Sequence, residues 1–168
     1  GDRISEFVDR AYKMAMNGYR GAVHLSLPVD IMFSSFAENS GQEERPFNRT
    51  AQLPAKAWPE PARLKLVMDR LAAARRPVLI GGHGVWWSGA EGYLEEAGRK
   101  LGIPVFNIPY HQKLLGEECE AYMGLADIHQ YHPSKDAFAE ADLVLMVGAR
   151  LDNQMNFGNP PLFPESFD

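Results

Sequence analysis

The chain has 168 residues, room for one domain or for one domain plus a fragment of another. Hydrophobic residues make up 45% and charged residues 23%, the balance of an ordinary globular protein, and a net charge of -5 with no basic run longer than Arg75-Arg76 argues against nucleic-acid binding. The single cysteine, Cys119, excludes an internal disulfide and fits a reducing, cytoplasmic compartment; no apolar run of about 18 residues is present to span a membrane, and the charged N-terminus is unlike a signal peptide.

Taken in order, residues 3–17 predict an amphipathic helix, because Ile4, Phe7, Val8, Ala11, Met14 and Ala15 recur at helical spacing and Gly18 is placed to end it. Residues 22–27 predict a strand with Val23, Leu25 and Leu27 on one side and His24 and Ser26 on the other, stopped by Pro28. His24 is a candidate ligand or base, but a hydrogen-bonded structural histidine is the stronger expectation, since no partner motif lies near it. One helix and one strand cannot build a core. Residues 1–33 are therefore expected to be the closing piece of a domain. Residues 34–60, with Pro46, Pro54, Pro59 and no periodicity, read as an ordered linker anchored by Phe36, Phe47 and Trp58.

A second domain is expected over 61–168. Pro61 suits the first turn of a helix whose apolar stripe is Leu64, Val67, Met68 and Leu71. Pro77-Val78-Leu79-Ile80 is a short apolar run of the kind that forms a buried parallel strand, and it enters the turn Gly81-Gly82-His83-Gly84. Ser88-Gly89-Ala90-Glu91 has the pattern of a capping box opening a helix over 89–101, with Leu94, Ala97 and Leu101 on one face and Gly102 closing it. Residues 104–108 predict a second strand, 110–128 an irregular stretch, 133–141 a short helix with Ala137, Phe138 and Ala141, and Leu143–Val147 a third buried strand running into Gly148-Ala149-Arg150. Strands alternating with helices make this an α/β domain with a Rossmann-like parallel sheet, right-handed crossovers and helices on both faces.

Ligands in such sheets bind at the carboxyl ends of the strands. Those ends are Gly82-His83-Gly84, Asn107 to Tyr110, and Gly148-Ala149-Arg150, and they are expected to share one crevice. A strand, a glycine turn and a helix start can present backbone N–H groups to a phosphate; a tight turn with no ligand explains the same glycines equally well. Arg150 brings a permanent positive charge suited to phosphate or carboxylate, and the bland alternative is a surface ion pair with Asp152 or another acid.

These stretches resemble a known family. Residues 21–30 (GAVHLSLPVD) are similar to the end of the pyrimidine-binding domain of thiamine-diphosphate-dependent enzymes; residues 76–84 (RPVLIGGHG) resemble the first strand of their central domain; residues 141–152 (ADLVLMVGARLD) resemble a central-domain signature. Order and spacing agree across nearly the whole chain. The likeness is strongest to acetolactate synthase-like enzymes, while Phe157-Gly158-Asn159-Pro160-Pro161 leans toward 2-hydroxyacyl-CoA lyase and oxalyl-CoA decarboxylase. The resemblance implies a parent enzyme, a transferase or lyase, that makes or breaks C–C bonds next to a carbonyl with thiamine diphosphate and Mg²⁺, and that works as a homodimer or homotetramer with the remaining domains of the same polypeptide. The family's Gly-Asp-Gly motif for the metal-bound diphosphate has no match here, and its activating glutamate is expected upstream of residue 1. The chain is thus expected to be non-catalytic by itself, with its central domain incomplete. In the family this domain holds FAD or ADP, or stays empty. Carried over by position, nucleotide contacts fall on Gly82, His83, Gly84, Ile108, Tyr110, Gly124, Leu125, Gly148, Ala149, Arg150 and Asp152, with ADP, CoA or FAD as the ligand. Gln154 stands where FAD-binding members tend to have an arginine, and His83 replaces a small residue between the glycines; both departures disfavour FAD. The alternative is a purely structural domain serving oligomer contacts.

Overall fold

The computed structural model describes residues 3–18, 20–34, 57–109, 114–127 and 133–165. The chain divides into two compact units, residues 1–58 and 59–168. Most of the expected linker lies outside the described residues, and so does Tyr110.

In the first unit, helix α1 (Ile4–Met16) has the expected amphipathic stripe and stops just before Gly18, whose φ of +63° suits the left-handed turn after a helix. None of its residues is buried, and Phe7, Val8 and Met14 stay largely exposed. The strand expected over 22–27 is not formed. The segment has no ladder partner among the described residues and leads into a single helical turn, α2 (Val29–Met32). Alternating side chains prepare a strand for pairing but do not supply the neighbour it must bond to. His24 is exposed.

The second unit is the α/β domain. Helix α3 (Pro61–Ala73) opens with Pro61 at its first turn. Strand β1 (Pro77–Gly81) follows, then the short α4 (His83–Ser88), α5 (Glu91–Leu101), β2 (Val105–Asn107), β3 (Tyr122–Leu125), α6 (Pro133–Ala139), β4 (Leu143–Val147) and a 3₁₀ segment, Asn153–Gly158. The strands form one parallel sheet in the order β3-β2-β1-β4. Val78, Ile80 and Phe106 face a core completed by Phe138, Met155, Leu162 and Phe163, where Phe138 packs 4.7 Å from Phe106 and 5.1 Å from Phe163. Leu79 and Val105 face the opposite core, with Val85, Leu94, Leu114 and Leu115. Helices thus cover both faces, which is why the strands are apolar throughout rather than alternating.

Three further expectations need correction. Ser88 does not open a helix: it is the last residue of α4, Gly89 in the left-handed conformation ends that helix, and α5 starts after Ala90 with no side-chain cap. The capping-box pattern therefore straddles the junction of two helices. The buried face of α5 runs through Leu94 and Gly98, while Leu101 is exposed; a Cβ on Gly98 would lie 2.5 Å from Val105 Cγ2, so the missing side chain lets helix and strand touch. Finally, the stretch read as irregular over 110–128 contains β3, which pairs with β2 across a register irregularity.

Candidate functional site

The strand order fixes where a site can form. From β1 the chain goes outward to β2 and β3, then returns to place β4 on the other side of β1. The carboxyl ends of β1 and β4 therefore flank the point where the winding reverses, the place where open parallel sheets leave a crevice. Gly82-His83-Gly84 leaves β1 there, and Gly148-Ala149-Arg150 leaves β4.

These two turns touch each other. The Gly82 N–H donates to the Val147 carbonyl at 3.0 Å, and the Gly84 N–H donates to the Gly148 carbonyl at 2.9 Å. A Cβ on Gly82 would lie 2.5 Å from both the Ala149 Cα and the Gly148 carbonyl oxygen. On Gly84 it would lie 2.7 Å from the Gly148 Cα, and on Gly148, where φ is +60°, 2.6 Å from the Gly84 Cα. Backbone meets backbone with no room for a side chain. The glycines are thus required by the contact between the turns, and two of the N–H groups that a phosphate cradle needs are already engaged.

The other expected site residues divide by position. Arg150 is exposed, His83 and Asp152 are partly buried, and all three adjoin the two turns in sequence. The Asp152 carboxylate accepts the Gln154 N–H at 3.0 Å, capping the 3₁₀ segment. Ile108 is a core residue, 6% exposed, whose N–H donates to the Gly81 carbonyl at 3.0 Å. Gly124 and Leu125 lie on β3, two strands from β1 and so roughly 10 Å away across the sheet. Hence the structure brings Gly82, His83, Gly84, Gly148, Ala149, Arg150 and Asp152 to the reversal point, but not Gly124 or Leu125.

One polar residue, expected only as part of a strand end, turns out to be buried. Asn107, the last residue of β2, is 2% exposed, and neither its Nδ2 nor its Oδ1 has a partner among the described residues. It pairs in register with Gly81 and shares the face of Val105. Its sequence signal was present, an asparagine ending an apolar strand, but nothing there said it would be buried. Gln154 Oε1 is also buried without a partner among the described residues. At the opposite, amino end of the sheet, Asp142 accepts the backbone N–H groups of Arg75 at 2.7 Å and Arg76 at 2.9 Å. Those two hydrogen bonds, first from Arg75 and then from Arg76, hold its carboxyl below the ordinary carboxylate range.

Residues 64–167 match the family described as thiamine pyrophosphate enzyme, central domain. The chain belongs to this family. Its similarity to curated enzymes covers nearly its whole length: 28% identity over 162 residues to 2-hydroxyacyl-CoA lyase 1 of Dictyostelium discoideum, covering 96% of this chain and 27% of that enzyme; 28% over 153 residues to the acetolactate synthase large subunit of Lactococcus lactis, 90% and 26%; and 29% over 150 residues to a 2-ketoarginine decarboxylase homologue of Pseudomonas aeruginosa, 89% and 25%. The chain thus spans about a quarter of the length of these relatives. The X-ray structure of a thiamin diphosphate-dependent enzyme homologue from Mycobacterium smegmatis shares the fold, with a TM-score of 0.66 at 24% identity, covering 99% of this chain and 31% of that one. The sequence contains no Gly-Asp-Gly, and no group of three or more metal-ligating side chains is found among the described residues. No helix among them is long and apolar enough to cross a membrane.

Proposed function

We propose that this chain is the central-domain portion of a thiamine-diphosphate-dependent enzyme that makes or breaks C–C bonds next to a carbonyl. On this reading the thiamine diphosphate and Mg²⁺ sites, and the contacts that build a homodimer or homotetramer, belong to other parts of the full-length protein. The portion described here performs no catalytic step. The purified 168-residue chain, given pyruvate, thiamine diphosphate and Mg²⁺, is expected to form no product; turnover would refute this.

Within the central domain, we propose that the crevice between β1 and β4 binds a nucleotide, ADP or a CoA nucleotide in preference to FAD. The observation that carries this reading is the reversal of strand order at β1, which puts the exposed Arg150 beside the crevice. Because the turn N–H groups of Gly82 and Gly84 are engaged, recognition falls to side chains, chiefly the Arg150 guanidinium on the diphosphate. FAD is disfavoured by Gln154 where an arginine is usual and by the bulk of His83. Calorimetric titration of the full-length protein with ADP, CoA and FAD tests the ranking; FAD binding without ADP or CoA binding would reverse it.

A second reading, a structural domain that binds no nucleotide, draws support from the same closed glycine contact, which explains Gly82, Gly84 and Gly148 without a ligand. Binding of none of the three nucleotides would favour it. The parent's place among synthases and lyases is proposed from its relatives: Phe157-Gly158-Asn159-Pro160-Pro161 and the Dictyostelium relative favour the lyase side.

A further inference from the structure

The segment that leaves Arg150 is built at a conformational cost around one exposed aromatic ring. Asn156 and Phe157 both have positive φ, +50° and +52°, a region that suits glycine and strains a bulky side chain. Phe157 is nevertheless 62% exposed. The loop is held firmly on either side of it. Asn156 Nδ2 donates to the carbonyls of Asn159 at 3.2 Å and Pro160 at 2.9 Å, and Asn159 Nδ2 donates back to the Asn156 carbonyl at 2.8 Å. Met155 before the ring and Leu162 and Phe163 after it are buried in the core. The backbone thus spends strain and anchoring to hold out a ring that gains little burial in return, and this sets Phe157 apart from the other exposed hydrophobic side chains.

The backbone of Phe157 is also tied to the stretch that follows Arg150. The Phe157 N–H donates to the Asp152 carbonyl at 2.9 Å, two residues after Arg150. A guanidinium and a preorganised aromatic ring thus stand on one short segment at the carboxyl end of β4. A ligand that satisfies both has an anionic group and a planar ring. We propose that Phe157 is the stacking surface for the base of the nucleotide whose phosphates Arg150 takes; the proposal rests on the nucleotide reading above and adds to it the recognition of the base. Stacking on an aromatic side chain is tolerant of base identity, so the ring selects for a base as such rather than for one base.

The test is calorimetric titration of the full-length protein and its Phe157→Leu, Phe157→Gly and Arg150→Ala variants with ADP and with inorganic pyrophosphate. Both Phe157 variants are expected to bind ADP roughly five- to a hundredfold more weakly, with pyrophosphate binding unchanged, whereas Arg150→Ala weakens both ligands. Phe157→Gly is expected to melt no lower than the wild type, since glycine suits the positive φ. Unchanged ADP affinity in Phe157→Leu would overturn the proposal, and so would an equal loss for ADP and pyrophosphate. A lower melting temperature with unchanged ADP affinity would assign the ring to packing against protein and overturn it as well. If the wild type binds neither ligand, the nucleotide reading falls and this proposal with it; if the wild type binds ADP and the Phe157 variants match it, this proposal falls alone.

Discussion

The seam between β1 and β4 is closed in two different ways at its two ends. At the amino end side chains do most of it: the Asp142 carboxylate reaches across to the backbone N–H groups of Arg75 and Arg76, Arg76 pairs with Glu140 at 2.8 Å, and one longer backbone bond, from the Asp142 N–H to the Arg76 carbonyl at 3.3 Å, joins them. At the carboxyl end backbone does it: Gly82 and Gly84 lie directly on Gly148 and Ala149, with no side chain between them. The first closure is exposed, titratable and replaceable. The second tolerates no added carbon. The glycine-rich sequence at these turns is therefore first a packing requirement, and the Gly82 and Gly84 N–H groups are already engaged across it.

The largest effect is expected where backbone meets backbone. Gly148→Ala puts a Cβ 2.6 Å from the Gly84 Cα and also forces a side chain into a left-handed conformation. The conformational cost of about 1–2 kcal/mol and an overpacking cost of about 1–3 kcal/mol together give about 2–5 kcal/mol of lost stability, measurable by denaturant unfolding. A loss below about 1 kcal/mol would mean that the turns yield easily and that the contact does not demand glycine.

A smaller change of opposite sign is expected next to the seam. Asn107→Leu removes a buried amide with no partner and fills the same space with apolar atoms. Stability should rise by about 1–3 kcal/mol, the cost of leaving such a group unsatisfied. A fall in stability instead would show that the amide is bonded in solution, for example to an internal water.

The smallest effect belongs to the exposed amino end and is seen through pH. The folded-state pKa of Asp142 is depressed, so its carboxylate contributes stability that is present above the ordinary aspartate value and is lost as the pH falls through the lower, folded-state value. Asp142→Asn should destabilise the protein at neutral pH and flatten this part of the acid-unfolding profile. An unchanged profile would remove Asp142 from the account of the seam.

Much of this arrangement was legible beforehand because buried parallel strands are continuous apolar runs. Val78 to Ile80, Val105 to Phe106 and Leu143 to Val147 form the strands expected of them. What was not legible depended on contacts across the fold. Tyr122-Met123-Gly124-Leu125 is too short to stand out, and Gly124, with φ of +109°, breaks the strand pattern that β2 nevertheless accepts. Ser88 to Glu91 reads as one helix start, whereas Gly89 ends one helix and the next begins after it. Above all, a glycine needed for a neighbouring turn and a glycine needed for a phosphate look the same in sequence, and the close approach of Gly82 and Gly84 to Gly148 could not be read from it.

The central claim is that side chains, with Arg150 foremost, carry recognition at the crevice while the glycines carry the packing. Calorimetric titration of the full-length protein with ADP, wild type against Arg150→Ala, tests it most directly. A charge-assisted contact worth about 1.5–3 kcal/mol predicts ADP binding by the wild type and a weakening of about ten- to a hundredfold in the variant. Equal ADP affinity in the two proteins would contradict the claim.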